Sequence, residues 1–125
     1  MKKLLALILA ATLLLACAIP AQAADSRKVE AAAVLYDLGL FQGTGTNADG
    51  TPDFSLDRAA KRAEGVTLLV RLLGIDEETL KNASDAPFTD VPRWAKPYVN
   101  FAYENDLTKG ISADKLGAND AVTAA

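Results

Sequence analysis

Apolar side chains recur at helical spacing in three stretches of the chain. In the first, "SRKVEAAAVLYDLGLF", Ser26 is suited to cap the start of a helix and Gly39 to follow its end. In the second, "DRAAKRAEGVTLLVRLLG", the spacing predicts a helix from Asp57 to Gly74, with Asp57 or Ser55 as its cap. These two stretches are long enough to form ordinary globular helices.

The third stretch, "PRWAKPYVNFAYENDLTKG", is predicted to become helical near residues 93–94 and to end near Gly110. Pro97 fits this helix only in the first turn, where a missing backbone N–H removes no helical hydrogen bond. Between the helices we expect a loop over 42–53, rich in Gly, Asn and Asp, and a polar connector over 75–86 with one helical turn. The pattern therefore predicts an all-α fold.

One charged residue, Arg62, lies on the apolar stripe of the second stretch. At about 100° per residue, Arg62 falls with the apolar side chains of Val66, Leu69, Val70 and Leu73. Arg71 lies on the opposite face, with Glu64 near it. Arg71 is therefore expected to be solvated. Arg62 has two interpretations: a structural arginine that reaches solvent or pairs with a carboxylate such as Asp90, or a ligand-binding residue.

The chain contains an internal repeat. "VLYDLGLFQG" (34–43) aligns with "FAYENDLTKG" (101–110), and "FSLDRAAKRA" (54–63) aligns with "LGANDAVTAA" (116–125). The loop between the two aligned segments is shorter in the second copy. We therefore expect helix-loop-helix repeats, about one and a half of them, neither complete.

The first 23 residues have the pattern of a secretory signal peptide, with two lysines, an apolar run and a small-residue site that ends at Ala23. The apolar run is too short to span a bilayer, and no later segment approaches the required length. A minor alternative is a lipoprotein, processed at Cys17 after "LLA". The predicted divisions are a signal peptide (1–23), a first repeat that lacks its N-terminal part (24–86) and a second, C-terminally truncated repeat (87–125).

Composition restricts the chemistry of the chain. Without the signal peptide, 11 basic and 16 acidic residues give a net charge of −5, which provides no electrostatic footprint for nucleic acid or an anionic membrane. The sequence has no histidine, and its single cysteine is Cys17, so common zinc sites and nucleophilic triads are not expected. The loop 42–53 also fails the calcium-loop pattern, because Gly45 and Leu56 fall where carboxylates are needed. We predict neither enzymatic activity nor a metal or cofactor.

Taken together, these motifs resemble the S-layer homology module of bacterial surface proteins. "FTDVPRWAKPYV" (88–99) is similar to the start of that module, and "KRAEGVTLLVRLLG" (61–74) is similar to its end. The order, spacing and duplication of the motifs carry more weight than any one of them. The resemblance implies repeats that usually occur in threes and bind anionic secondary cell-wall polysaccharide, often pyruvylated, in grooves between repeats.

The resemblance also implies which residues bind the glycan. Arg62 would offer its guanidinium to a carboxylate, Asp90 would accept sugar hydroxyls, and Trp94 would pack on a sugar face. Gly43 and Gly110 match the turn whose bare backbone lets the ligand approach. Two of these residues have alternative, structural interpretations. Trp94 could be a core residue, as an indole on an apolar helix face often is, and Asp90 is also suited to cap a helix.

The chain departs from the family pattern at two positions. Lys61 replaces the threonine that forms a capping box with Glu64, and Ala124 aligns with Arg62. Only the first copy is therefore expected to hold an anion. Glu64 is part of the family motif, but its place on the polar face equally suits a solvated or helix-packing residue.

The predicted function is a non-catalytic, secreted module that anchors a larger protein to cell-wall polysaccharide at the bacterial surface or S-layer. One alternative is a degenerate structural module that binds further repeats or surface-layer proteins but no glycan; the loss of the second arginine favours it. Another is the anchor of a secreted enzyme whose catalytic domain is absent. We also expect residues 110–125 to be loosely ordered or to associate with another copy.

Overall fold

The computed structural model describes residues 21–122. Most of the predicted signal peptide, including Cys17, and also Ala124 lie outside the described residues. Helices occur in all three stretches that the apolar spacing predicted, and one short helix lies in the polar connector. The elements in chain order are α1 (Ala21–Asp37), β1 (Gly45–Thr46), β2 (Pro52–Asp53), α2 (Arg62–Leu72), α3 (Glu77–Asn82) and α4 (Lys96–Glu104).

The prediction of an all-α fold is incomplete, because the predicted loop contains a small hairpin. Strands β1 and β2 pair antiparallel, with Gly45 opposite Asp53 and Thr46 opposite Pro52. The Asn47 side chain closes the turn by donating a hydrogen bond to the Pro52 carbonyl at 3.2 Å. Two-residue strands are too short to show the alternation of apolar and polar residues that identifies a strand in a sequence.

Helix α2 begins at Arg62, later than the predicted start at Asp57. The preceding segment is instead held in extended form by the C-terminal part of the chain. The Val122 N–H donates to the Ala60 carbonyl at 2.8 Å, and the Arg62 N–H donates to the Asp120 carbonyl at 2.9 Å. This pairing joins residues far apart in sequence, so local periodicity cannot reveal it.

The start of α2 keeps half of the capping box that Lys61 was expected to abolish. Lys61 is the N-cap, and its ammonium group makes no capping hydrogen bond. The Glu64 carboxylate nevertheless accepts a hydrogen bond from the Lys61 backbone N–H at 2.7 Å. The expected caps Asp57 and Ser55 lie outside the helix and do not cap it.

Helix α4 begins at Lys96, and a turn over residues 93–95 precedes it. Pro97 lies in the first helical turn, as predicted, where its missing N–H leaves no carbonyl unpaired. The turn is closed by a hydrogen bond from the Ala95 N–H to the Pro92 carbonyl at 3.0 Å. This turn places Trp94 outside the regular helix.

The core lies where α4 packs against α2 and α3. Leu116, Val70 and Val99 are the largest fully buried side chains. Helix α1 is peripheral: Ala32 is buried, whereas Val29 and Val34 are each 53% exposed. The buried residues form two clusters, one of Ala63, Phe88, Ala95, Val99, Leu116 and Ala118 and the other of Val70, Leu80 and Ala102.

The chain turns in the same way after α1 and after α4. The Leu40 N–H donates to the Leu35 carbonyl at 2.9 Å, and the Leu107 N–H donates to the Ala102 carbonyl at 2.8 Å. These two hydrogen bonds join aligned positions of the internal repeat. Both helices therefore end in turns of the same hydrogen-bonded form.

The similarity continues beyond these turns. The Thr44 N–H donates to the Asp53 carbonyl at 2.7 Å, and the Ile111 N–H donates to the Lys115 carbonyl at 2.9 Å. Both pairs again join aligned positions. Left-handed backbone also occurs at aligned positions, in the pairs Gly39 and Asp106, Gly43 and Gly110, and Ser55 and Gly117.

Residues 110–122 fold against the rest of the chain, which corrects the expectation of a loosely ordered C-terminal segment up to Val122. Residues 116–118 are buried beneath the start of α2. The remaining residues of that expectation, 123–125, lie outside the described part of the chain. Among residues 21–122, no helix has both the length and the apolar character that crossing a membrane requires.

Candidate ligand-binding groove

A groove of about 740 Å³ lies alongside α2. The turn that follows α1 and the segment that leads into α4 both contribute to its lining. The groove therefore lies between the two aligned halves of the chain. Its lining comes from four segments, within residues 40–44, 58–71, 92–98 and 118–119.

Helix α2 turns its polar face towards this groove. Lys61, Glu64, Thr67, Leu68 and Arg71 line it, at the three- and four-residue spacing that places side chains on one helix face. The apolar stripe identified in the sequence faces elsewhere and is partly in the core. The motif arginine, which lies on that stripe, is not among the residues that line the groove.

Arg58 and Glu64 form a two-point ion pair within the groove. Arg58 Nη1 donates to Glu64 Oε2 at 2.9 Å, and Nη2 donates to Oε1 at 2.6 Å. The hydrogen bonds from Arg58, together with that from the Lys61 N–H, lower the pKa of Glu64 despite its partial burial. Glu64 is thus a structural partner of the helix start, and its charge cancels that of Arg58.

Arg71 is a groove cation without a carboxylate partner among the described residues. Its Nε and Nη2 donate to the Tyr98 hydroxyl at 3.3 and 3.2 Å, and Nη2 also reaches Gln42 Oε1 at 3.2 Å. The guanidinium carbon lies 4.9 Å from the centroid of the Tyr98 ring. Arg71 is partly exposed, and in addition to the solvation expected from the sequence, neutral partners orient its guanidinium.

Sequence reasoning missed Arg71 because its partners come from distant parts of the chain. Gln42 lies in the turn after α1, and Tyr98 lies on α4. The only local signal was its spacing from Glu64 and Thr67 along one face of α2. That spacing identifies a shared face but does not show what the face contacts.

Trp94 lies at the groove with a largely free indole. Its side chain is 53% exposed, so the alternative that it is a core residue is wrong. Tyr98, which orients Arg71, lines the same groove. An exposed indole in a groove that a second aromatic side chain also lines offers the flat apolar surface on which sugar rings pack.

Asp90 lies outside the groove and has a structural use. Its carboxylate accepts backbone hydrogen bonds from Leu116, Gly117 and Ala118 at 2.8, 2.9 and 3.0 Å. Burial opposes ionisation of the carboxyl group, but these three donors outweigh it and lower the pKa of Asp90. Asp90 does not cap α4, because that helix has Ala95 as its N-cap.

Arg62 is half-buried, and its Nε has no hydrogen-bond acceptor among the described residues. It forms no ion pair with Asp90 or any other carboxylate of residues 21–122. The structure thus places the arginine singled out by the sequence outside the groove.

The two turn glycines have different surroundings. Gly43 lines the groove, whereas Gly110 does not. Both have left-handed backbone, with φ of 74° and 71°. A Cβ on Gly43 would lie 2.5 Å from the Asp53 carbonyl oxygen, and one on Gly110 would lie 2.5 Å from the Phe88 ring. Packing alone therefore requires glycine at both positions.

A second groove, of about 680 Å³, lies between α1 and the hairpin. It is lined by several aspartates, and one of them, Asp25, pairs with Lys28 at 3.5 Å. No three His, Cys, Asp or Glu side chains within residues 21–122 are placed to hold a metal ion. Lys28 is the only lysine or arginine among the residues that line this groove, and no tryptophan lines it.

Comparison with known proteins identifies one part of the chain directly. The S-layer homology domain family matches residues 87–123. Over 99 residues, the chain is also 34% identical to a cell surface protein of Thermoanaerobacter kivui. This match covers 76% of the chain but only 12% of that relative's length. No solved structure matches the chain. Residues 87–123 are therefore recognised as an S-layer homology domain, as the motif "FTDVPRWAKPYV" predicted.

Proposed function

We propose that this chain is a non-catalytic module that holds a larger protein at the bacterial cell surface by binding an acidic cell-wall polysaccharide. The S-layer homology domain and the similarity to a cell surface protein support surface anchoring. The groove beside α2 supports the choice of ligand. The observation that carries the proposal is the exposed indole of Trp94 in the same groove as the uncompensated guanidinium of Arg71.

The proposal treats residues 24–86 and 87–125, which follow a cleaved signal peptide, as two copies of one repeat. The matching turns after α1 and α4 support this division, because they repeat the same hydrogen bonds at aligned positions. The groove lies between the two copies. A ligand bound there would contact the Gly43 turn of the first copy and Trp94 of the second.

The six residues implied by the family resemblance separate into two groups under this proposal. Trp94, Gly43 and Glu64 line the groove; Trp94 packs on a sugar ring, Gly43 keeps the wall open, and Glu64 fixes the start of α2. Arg62, Asp90 and Gly110 do not line it. We assign Asp90 and Gly110 to the turn that supports the second copy.

The negative net charge of the chain does not oppose an acidic ligand, because the groove differs from the average surface. Lys61 and Arg71 contribute positive charge there, while Glu64 neutralises only Arg58. Local potential, rather than net charge, determines the affinity at a groove.

The proposal is tested by cosedimentation of the secreted chain with purified cell-wall polysaccharide attached to peptidoglycan. Wild-type protein should sediment with the wall material, and Trp94→Ala should remain largely in solution. Leu107→Ala removes a similarly exposed apolar side chain away from the groove and should bind like the wild type. Failure of the wild-type chain to sediment would refute glycan binding.

A second candidate function is a structural module that binds other repeats or surface proteins. Leu69, Leu72 and Leu73 form an exposed stripe on α2, at 43%, 57% and 51% exposure. Such a stripe at helical spacing is typical of a surface that packs against another helix. This role would survive loss of the groove residues, so the Trp94→Ala variant also separates the two functions.

A further inference from the structure

We propose that Arg71, rather than the motif arginine Arg62, is the residue of this groove that binds the ligand's carboxylate. The inference rests on the proposed function and identifies a recognition residue within it. It also narrows the ligand to a sugar that carries a carboxylate and presents one ring face to an indole.

The other cations of the groove are already engaged. Arg58 gives both of its terminal nitrogens to Glu64, so an incoming carboxylate would have to displace an existing one. Lys61 is exposed, and its ammonium group donates to Asn119 Oδ1 at 3.3 Å. Neither Lys61 nor Arg71 pairs with a carboxylate within residues 21–122. Arg71 differs from Lys61 because two side chains, Tyr98 and Gln42, orient its planar guanidinium.

The partners of Arg71 orient its guanidinium without cancelling the charge. Tyr98 and Gln42 accept from Nε and Nη2 through neutral oxygens. Nη1 donates to no acceptor among the described residues. A planar guanidinium that is held in place and keeps free donors is preorganised for a carboxylate, since little side-chain entropy remains to be lost on binding.

A second observation on the same helix face points to a ligand. Thr67 lies four residues before Arg71, lines the groove and is 3% exposed, yet its Oγ1 has no hydrogen-bond partner within residues 21–122. Unpartnered buried hydroxyls are uncommon and costly. An oxygen-rich ligand at Arg71 would lie on the face of α2 to which this hydroxyl belongs.

The aromatic side chains determine how such a ligand would lie. Trp94 and Tyr98 both line the groove, and Tyr98 is the residue that holds Arg71. A sugar ring packed on Trp94 would extend along the groove towards the guanidinium. This arrangement distinguishes an acidic sugar, recognised at both points, from a neutral sugar, recognised only by the aromatic surface.

The test compares two forms of one probe: native wall polysaccharide and the same polymer with its carboxylates reduced to alcohols. Binding is measured by calorimetry for the wild type, Arg71→Gln and the matched control Arg62→Gln. Loss of a charge-assisted pair should weaken binding of native polymer to Arg71→Gln by about 10- to 100-fold. The wild type and Arg62→Gln should prefer native over reduced polymer, and Arg71→Gln should bind both forms equally.

The possible failures are distinguishable. If the wild type binds neither form, the proposed function itself is wrong. If it binds native polymer and Arg71→Gln binds equally well, or if Arg62→Gln is the variant that loses the preference, the assignment to Arg71 is overturned. The NMR signal of the Arg71 Nε–H provides a further test on the wild type alone. It should shift when native polymer is added to the wild type; absence of a shift during binding contradicts the inference.

Discussion

The carboxylate of Asp90 accepts a hydrogen bond from the backbone N–H of Ala118 at 3.0 Å, across 28 residues of sequence. The neighbouring amides of Leu116 and Gly117 donate to the same carboxylate. One side chain in the segment before α4 thus fixes the loop that pairs with the start of α2. Asp90 shapes the structure that surrounds the groove without lining it.

Replacing Asp90 with asparagine should destabilise the fold. The asparagine amide offers only one acceptor oxygen, and its NH₂ group would face backbone N–H donors. Leaving buried donors unpaired costs about 1–3 kcal/mol each, so we expect a loss of that order in the free energy of unfolding. Urea denaturation measures the loss. Asp106→Asn, which changes an exposed aspartate on left-handed backbone, is the control and should cost little; equal losses would contradict the structural role of Asp90.

The same carboxylate should contribute to acid unfolding. The pKa of Asp90 in the folded chain is below its ordinary value of 3.8, despite the opposing effect of burial. Its contribution is therefore fully present above that value and is lost as the pH falls through the lower, folded pKa. Below about pH 4, stability should decline less steeply in Asp90→Asn than in the wild type. Parallel pH profiles of unfolding free energy would disprove this contribution.

Two glycine substitutions should differ in cost. Gly74 and Gly110 share left-handed backbone, but only Gly110 is crowded, by the Lys115 carbonyl and the Phe88 ring. Gly74→Ala should cost the backbone strain alone, about 1–2 kcal/mol. Gly110→Ala should cost clearly more, because its Cβ would lie 2.5 Å from both neighbours. Thermal unfolding of the two variants provides the comparison, and a smaller loss for Gly110→Ala would contradict the packing described here.

Removing the motif arginine should not destabilise the chain. Arg62 Nε is buried without an acceptor within residues 21–122. Arg62→Met keeps most of the apolar stem while removing that unsatisfied donor, whose burial costs about 1–3 kcal/mol. We therefore expect unchanged or higher stability in urea. A marked decrease in the stability of Arg62→Met would show that the guanidinium has a partner in solution.

Glu64→Gln should have opposite effects on stability and binding. The substitution weakens the pair with Arg58, and such a partly exposed pair contributes up to about 1 kcal/mol. It also leaves the Arg58 charge uncompensated in the groove. Affinity for acidic wall polysaccharide should therefore rise, most clearly at low salt. Weaker binding to a correctly folded Glu64→Gln variant would place the carboxylate itself in contact with the ligand.

The helices were predictable from local sequence because their apolar spacing and their proline and glycine positions act over short distances. Pro97, for example, is tolerated only in the first turn of a helix, so α4 had to begin close to it. The start of α2 was not predictable in this way. Residues before Arg62 pair with residues near Val122, and that long-range pairing overrides the helical pattern.

The groove was only partly predictable for the same reason. Trp94 and Gly43 could be singled out because they belong to motifs that resemble a known family. Arg71 could not, since its importance depends on Tyr98 and Gln42, which approach it only in the folded chain. Helical periodicity identified Arg62 as a charged residue on an apolar stripe. Periodicity does not show which surface the side chain faces in the folded chain.

The most direct test of groove binding uses the chain's single tryptophan. Trp94 is 53% exposed and lines the groove, so its fluorescence reports on that surface. Titration of the chain without residues 1–23 with purified acidic wall polysaccharide should give a saturable change in emission. Binding should also protect the indole from quenching by acrylamide. Polymer binding seen by sedimentation with no change in emission or quenching would contradict the account, because the ligand would then occupy another surface.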